Sequence, residues 1–253
     1  MRVLLLGGTS EASRLAALFA GRRDIDATLS FAGRTKAPIA PPIPYRTGGF
    51  GGIEGLAAYL KAQRVDVLVD ATHPFAEQMS RHAALAAARA NVPLIVLSRP
   101  PWAPEPDDRW INVDDMAGAA AALGPQAQRV LLTVGRLQLK AFEAAPHHFY
   151  LIRAIDPIEP KPNLPRHRVI AERGPFAVEA EERLLREEKI DVIVTKNSGA
   201  AATFAKIVAA RRLALPVIMV ARPSSASTPA LNDPSDALAA ILRHVKAPAP
   251  RGV

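Results

Sequence analysis

The chain has 253 residues, 49% of them apolar, a net charge of +8 and no cysteine. Its length admits one large domain or two of about 125 residues, and the missing cysteines exclude disulfides and thiolate metal sites. No charged-then-apolar leader opens the chain and no apolar stretch nears the ~20 residues of a membrane span, so a soluble, cytoplasmic protein without membrane contact is expected. The basic residues form no blocks and aromatics are few, which argues against nucleic acid as a partner. The excess charge reads either as a solvated surface or as the field of a basic cleft that draws in a small polyanion; the second reading is preferred. No metal is expected.

Val3-Leu4-Leu5-Leu6 reads as a buried strand, Gly7-Gly8-Thr9-Ser10 as a tight turn, and 11–20 as a helix carrying Leu15, Leu18 and Phe19 at helical spacing. Gly21 closes that helix. A strand-turn-helix of this kind leaves backbone N–H groups at a helix N-terminus and suits a phosphate. The spacing departs from the dinucleotide fingerprint: Thr9 stands where the second glycine belongs, and Ala12 where the third does. Taken alone, the turn is also compatible with an ordinary strand-to-helix connection.

A second strand over 27–31 runs into Ala32-Gly33-Arg34-Thr35-Lys36. In a dinucleotide domain this strand end meets the adenosine ribose, where an acid favours a 2′-hydroxyl and an arginine a 2′-phosphate. Ser30, Arg34 and Lys36 stand there without an acid, so NADP(H) is expected over NAD(H); for Lys36 a solvated loop is the better reading. The stretch 38–52 is irregular and ends in Gly48-Gly49-Phe50-Gly51-Gly52, and a helix over 53–64 follows. The strand over 65–70 leads into Ala71-Thr72-His73-Pro74-Phe75-Ala76, which puts Asp70, Thr72 and His73 at the carboxyl edge where open α/β sheets bind ligands. Pro74 is expected in the first turn of a helix, with Thr72 or His73 available as its cap. A helix over 79–90 and a strand over 92–97 come next, then Ser98-Arg99-Pro100 and a Pro- and Asp-rich surface excursion to Arg109. Residues 114–123 are helical.

The pattern then repeats. The segment from Val130 to Arg136 echoes the one from Val3, residues 190–199 echo 65–74, and residues 215–223 echo 92–100, at offsets of 127 (Val3 to Val130), 125 (Asp66 to Asp191) and 123 (Arg99 to Arg222). This implies an α/β fold of two similar Rossmann-like or flavodoxin-like halves. Each would be a mainly parallel sheet flanked by helices, with the active site in the cleft between them. The expected boundaries are 1–125 and 126–246, the last helix lying over 236–244, with 247–253 a flexible tail. The second opening turn, Val134-Gly135-Arg136, suits a carboxylate better than a pyrophosphate. Lys196, Asn197, Ser198 and Arg222 add donors at the same edge.

The residues Gly7-Gly8-Thr9-Ser10-Glu11, Asp70-Ala71-Thr72-His73-Pro74-Phe75-Ala76, Gly135-Arg136, Glu172-Arg173-Gly174-Pro175-Phe176 and Thr195-Lys196-Asn197-Ser198-Gly199 together resemble the precorrin-6A reductase family of the cobalamin (corrin ring) pathway. They span nearly the whole chain. The resemblance implies an NADPH-dependent oxidoreductase acting on a CH–CH group, which reduces one double bond of the precorrin-6A macrocycle to give precorrin-6B. Its substrate is a polycarboxylate tetrapyrrole, in agreement with the basic charge balance. Neighbouring pathway enzymes are expected as transient partners.

On that basis the cofactor phosphates are placed on Gly7, Gly8, Thr9, Ser10 and Glu11, and the 2′-phosphate near Ser30, Arg34 and Thr35. The nicotinamide and its ribose are placed along Thr72, His73 and Pro74. Glu11 either binds a hydroxyl or only improves the helix N-terminus. Arg136, Lys196, Asn197, Ser198, Gly199 and Arg222 are assigned to the substrate, since arginine forks pair well with carboxylates. Arg99 is assigned to either ligand or to a salt bridge with the Asp107–Asp108 region. His73 or Lys196 donates the proton, or water does. Glu172 is read as structural. The rival readings are another NADPH-dependent oxidoreductase of a polyanionic small molecule and a non-enzymatic tandem α/β ligand-binding module.

Overall fold

The computed structural model describes residues 1–33, 40–223 and 229–245. It divides into two compact units, residues 1–100 with 224–253 and residues 101–223. The first is a six-stranded sheet of β1 (Arg2–Leu6), β2 (Asp26–Phe31), β3 (Tyr45–Thr47), β4 (Val67–Asp70), β5 (Leu94–Leu97) and β12 (Ala230–Leu231), in the order β12-β5-β4-β1-β2-β3. The second contains β6 (Arg109–Val113), β7 (Arg129–Leu132), β8 (Phe149–Ala154), β9 (His167–Ala171), β10 (Val192–Lys196) and β11 (Pro216–Val220), in the order β6-β11-β10-β7-β8-β9. Every pairing is parallel. Numbered in chain order, the first sheet has the 3-2-1-4-5-6 order of the doubly wound dinucleotide fold, not the flavodoxin order; counted from β7, the second repeats 3-2-1-4-5, and its sixth place is filled by β6, which comes first in that unit's chain.

The apolar runs have a simple cause. A parallel strand covered on both faces must be apolar at every position. Along β1, Val3 and Leu5 pack under α1 (Ser10–Phe19) and α7 (Pro234–Val245). Leu4 and Leu6 face the other way, onto Leu56 and Leu60 of α2 (Gly52–Ala62) and Ala83 and Ala87 of α3 (Glu77–Ala90). In the second unit, Leu131, Ile193, Val217 and Met219 pack with Leu185 of α5 (Val178–Glu187) and Ile207 of α6 (Ala205–Arg212).

The unit borders differ from a single cut near residue 125. The surface excursion expected up to Arg109 ends in β6, which pairs with β11 from Arg109↔Pro216 to Val113↔Val220. The following α4 (Met116–Ala122) packs beside it. In exchange, β12 pairs with β5 and α7 lies on α1. Each sheet thus receives its sixth strand from chain that follows the other sheet's fifth. The supposed tail, 247–253, lies outside the described residues.

One buried cluster in the second unit carries a pH dependence. The Lys206 side chain is buried on α6; its Nζ donates to the Thr203 carbonyl at 2.8 Å and lies 5.0 Å from the centre of the Trp102 ring. Burial pushes its ammonium from the usual 10.5 down to about 7, the carboxylate of Glu181 pulling it up and Arg153 pushing it further down. Between those two values the unfolded chain holds a proton that the folded chain does not. Stability therefore rises with pH through that window, by at most about 1.4 kcal/mol per pH unit from this group. Urea denaturation of Lys206→Met at pH 7, 8 and 9 is expected to show this rise removed.

Candidate functional site

The first unit's switch point lies between β1 and β4, the place where strand order reverses and ligands bind in such sheets. The chain leaves β1 through Gly7, whose N–H donates to the Ser30 carbonyl at 3.0 Å. A Cβ on Gly7 would come within 2.5 Å of Leu29 Cδ1, so a larger residue there would have to displace the Leu29 side chain of β2. Gly8 has φ +125°, a conformation that L side chains rarely adopt, and open space lies where its Cβ would be. Thr9 caps α1: its Oγ1 accepts from Ala12 N at 3.1 Å and donates to the Ala71 carbonyl at 2.8 Å. The residue in the second-glycine position is therefore a strut that joins the start of α1 to the end of β4.

Glu11 and Arg99 meet at this edge. Arg99 Nη1 lies 2.5 Å from Glu11 Oε2 and 3.3 Å from Ser10 Oγ, with both side chains of the ion pair almost buried. Arg99 thus pairs with Glu11, 88 residues away in sequence. The expected alternative partner, Asp108, is bound by Arg211, whose Nε lies 3.0 Å from Asp108 Oδ1.

After β4, Asp70 is buried and its Oδ1 accepts from Thr72 N at 3.0 Å and Thr72 Oγ1 at 2.7 Å. Thr72 is held by Asp70 and caps no helix. Pro74 does not open the helix either. It is the second residue of a turn closed by Ala76 N–H on the His73 carbonyl at 2.7 Å, and α3 starts three residues later at Glu77. The turn directs Phe75 N–H onto His73 Nδ1 at 3.2 Å, which puts the proton of the neutral ring on Nε2. So Gly7, Gly8, Thr9, Ser10, Glu11, Ser30, Thr72, His73, Pro74 and Arg99 all lie at one sheet edge. Arg34, Thr35 and Lys36 lie outside the described residues.

The second unit repeats the edge with different chemistry. Gly135 has φ +83° and precedes a 3₁₀ segment, Arg136–Ala144, in place of a capped α-helix. Its turn therefore lacks the α-helical N-terminus that the first unit offers a phosphate. Arg136 is exposed. Lys196 Nζ lies 4.0 Å from where a Gly135 Cβ would sit. Asn197 is committed elsewhere: its side-chain amide exchanges two hydrogen bonds with the Trp102 backbone, at 2.7 and 2.9 Å, and its carbonyl accepts from Arg222 Nε at 2.9 Å. Ser198 Oγ accepts from Ala200 N at 3.3 Å, and Gly199 has φ +69°. Lys196, Ser198 and Arg222 thus stand together at one edge, with Asn197 bracing it. Glu172 lies 3.1 Å from Arg153 Nε in ion-pair contact, in line with its structural reading.

Arg46 and Phe50 are further residues of the first edge, in the stretch read as irregular. Arg46 sits on β3 beside Ser30 in register. The signal in the sequence was faint: three strand residues, Tyr45-Arg46-Thr47, directly before a glycine-rich loop. Among the described residues no cluster of His, Asp or Glu has the arrangement of a metal site, and no helix is long and apolar enough to cross a membrane.

Comparison with known proteins covers both units. The family model "Precorrin-6x reductase CbiJ/CobK" matches residues 2–242. A precorrin-6A reductase from Sinorhizobium sp is 49% identical over 98% of this chain and 95% of its own. One from Mycobacterium tuberculosis is 42% identical over 88% of this chain and 89% of its own. A solved structure described as CobK precorrin-6A reductase matches with a TM-score of 0.92 and 45% identity, covering 100% of both chains.

Proposed function

The chain belongs to the precorrin-6x reductase family, and from that premise we propose that it reduces one double bond of the precorrin-6A macrocycle to give precorrin-6B in cobalamin biosynthesis, with NADPH as reductant. What supports this reading is the agreement between near-full-length relatives named for that activity and a first-unit edge where the Gly7-Gly8 turn meets the capped N-terminus of α1 at the switch point.

The residues present fit such a cofactor. Gly8 leaves open space above a helix N-terminus, and Gly7 brings that turn tight against β2. An acid beside a pyrophosphate would repel it, but Arg99 neutralises Glu11 and restores the favourable field of the α1 N-terminus. When bound, NADPH supplies a hydride from nicotinamide C4, and the protein supplies position and electrostatics. Thr72, His73 and Pro74, fixed by Asp70 and by the turn at Ala76, hold the nicotinamide end. Addition of a hydride must be balanced by a proton. His73 Nε2 and Lys196 Nζ are the two side-chain donors, and water is the third source. Such a donor contributes about 10²- to 10⁴-fold to rate. Arg136, Lys196, Ser198 and Arg222 bind acetate and propionate groups of the substrate, which the net charge of +8 helps to attract.

The test is turnover. Purified protein supplied with precorrin-6A is expected to oxidise one NADPH per macrocycle, and to do so at least tenfold faster than with NADH, on the order of one charge-assisted contact. Well-folded protein that oxidises no NADPH in the presence of precorrin-6A contradicts the proposal.

A further inference from the structure

The same corner occurs in both units, between the ends of the second and third strands and the start of the next helix, and the two differ in charge. In the first unit Arg46 lies over the Phe50 ring, 4.0 Å from its centre, two residues before α2. In the second unit Arg153 lies over Phe176, 4.4 Å from its centre, two residues before α5. Stacking of a guanidinium on a ring holds it flat and in place.

The partners are not equivalent. Arg153 is neutralised twice, by Glu181 at 2.7 Å and by Glu172 at 3.1 Å. Arg46 donates from Nη1 to Ser30 Oγ at 2.9 Å and to the Gly48 carbonyl at 2.9 Å, and from Nη2 to the Gly49 carbonyl at 3.1 Å. All three acceptors are neutral, and among the described residues no carboxylate pairs with it. Of its five N–H groups, three are used by these bonds, which leaves Nε–H and the second N–H of Nη2. A half-buried guanidinium with its charge uncompensated and two donors to spare is a site for an anion.

Position says which anion. In a dinucleotide domain the end of the second strand faces the adenosine ribose. Here that end is Ser30-Phe31-Ala32-Gly33, with no acid to hold a 2′-hydroxyl or repel a phosphate. We propose that Arg46, set by Ser30 and Phe50, is the residue that recognises the 2′-phosphate of the cofactor and so makes the protein specific for the phosphorylated dinucleotide. The proposal rests on the NADPH reading above and locates its specificity on the third strand. A phosphate monoester carries a charge of about −1.5 to −2 at pH 7, so one fork of N–H donors engages it strongly.

Calorimetric titration with adenosine 2′,5′-bisphosphate and with 5′-AMP tests this without turnover. The unmodified protein is expected to bind the bisphosphate much more tightly than 5′-AMP. In Arg46→Met the bisphosphate affinity is expected to fall roughly 10- to 100-fold, while 5′-AMP affinity changes less than about threefold. Arg46→Lys, which keeps the charge and loses the fork, is expected to fall in between. An Arg46→Met protein that keeps the original ratio overturns the assignment while leaving the NADPH reading in place. Equal loss of both ligands also overturns it, because Arg46 would then only brace the Gly48–Gly49 carbonyls. Equal binding of both ligands by the unmodified protein overturns the NADPH reading and this assignment with it.

Discussion

Arg153→Met is expected to destabilise the second unit by about 3–5 kcal/mol, the range for removing one partner of a buried ion pair. Glu181 is 2% exposed, its Oε1 is bound by Arg153 Nη1 at 2.7 Å, and its Oε2 has no hydrogen-bond partner among the described residues. Without Arg153 that carboxylate loses its hydrogen-bonded counter-ion and is left in the interior beside the buried Lys206. The cost arises from the stranded charge, so removing both charges is expected to recover most of it. The double variant Arg153→Met/Glu181→Leu should therefore denature in urea much closer to the unmodified protein than Arg153→Met does. Additive losses from the two changes would show that the pair is held by packing and not by charge.

Gly8→Val is expected to weaken NADPH binding at least about 100-fold, more than any other single change at the first edge. Two causes act together. A β-branched residue at φ +125° is strained by about 1–3 kcal/mol. Its side chain also enters the open space in which the proposed pyrophosphate lies. The matching change in the second unit, Gly135→Ala, meets similar backbone strain at φ +83° but stands before a 3₁₀ segment, without the α-helical N-terminus that the first unit offers a phosphate. It is expected to leave NADPH affinity within about threefold of the unmodified protein. Titration of cofactor fluorescence measures both. Equal losses from the two variants would mean that the two turns are not functionally distinct.

The sequence made the central strands legible because their chemistry is uniform. Val3 to Leu6 and Val192 to Thr195 are buried throughout, and such runs followed by small residues mark the parallel strands at the switch point. The repeat at nearly constant offset anticipated that the two units share one strand order. Edge strands were harder to see. Arg109-Trp110-Ile111-Asn112-Val113 is largely exposed and shows no clear alternation, and Tyr45-Arg46-Thr47 is only three residues long. The exchange of sixth strands left no local trace. What joins β6 to β11 is a ladder between segments about a hundred residues apart, and no pattern within either segment records it.

Side-chain partners followed the same division. Arg99 was assigned to either ligand, with the nearby acids Asp107 and Asp108 as the alternative partners; strand ends gather distant loops at one edge and bring it to Glu11 instead of those acids. Thr9 looked like a defect in the glycine fingerprint. Its hydroxyl makes two hydrogen bonds, one to α1 and one to the end of β4, and so joins the two elements. Pro74 read as a helix opener, and the bond from Ala76 N–H to the His73 carbonyl makes it a turn residue instead. Arg46 was missed because its significance depends on register with Ser30, which exists only once β2 and β3 pair.

The central claim is that a dinucleotide at the first-unit edge reduces the corrin precursor directly. Reduction of precorrin-6A by this protein with NADPH deuterated at nicotinamide C4 tests it most directly, with the product read by mass spectrometry. Transfer of one deuterium from the cofactor, with the second hydrogen drawn from solvent, is the predicted result. A product formed without cofactor deuterium, from NADPH labelled on either face of C4, would contradict it.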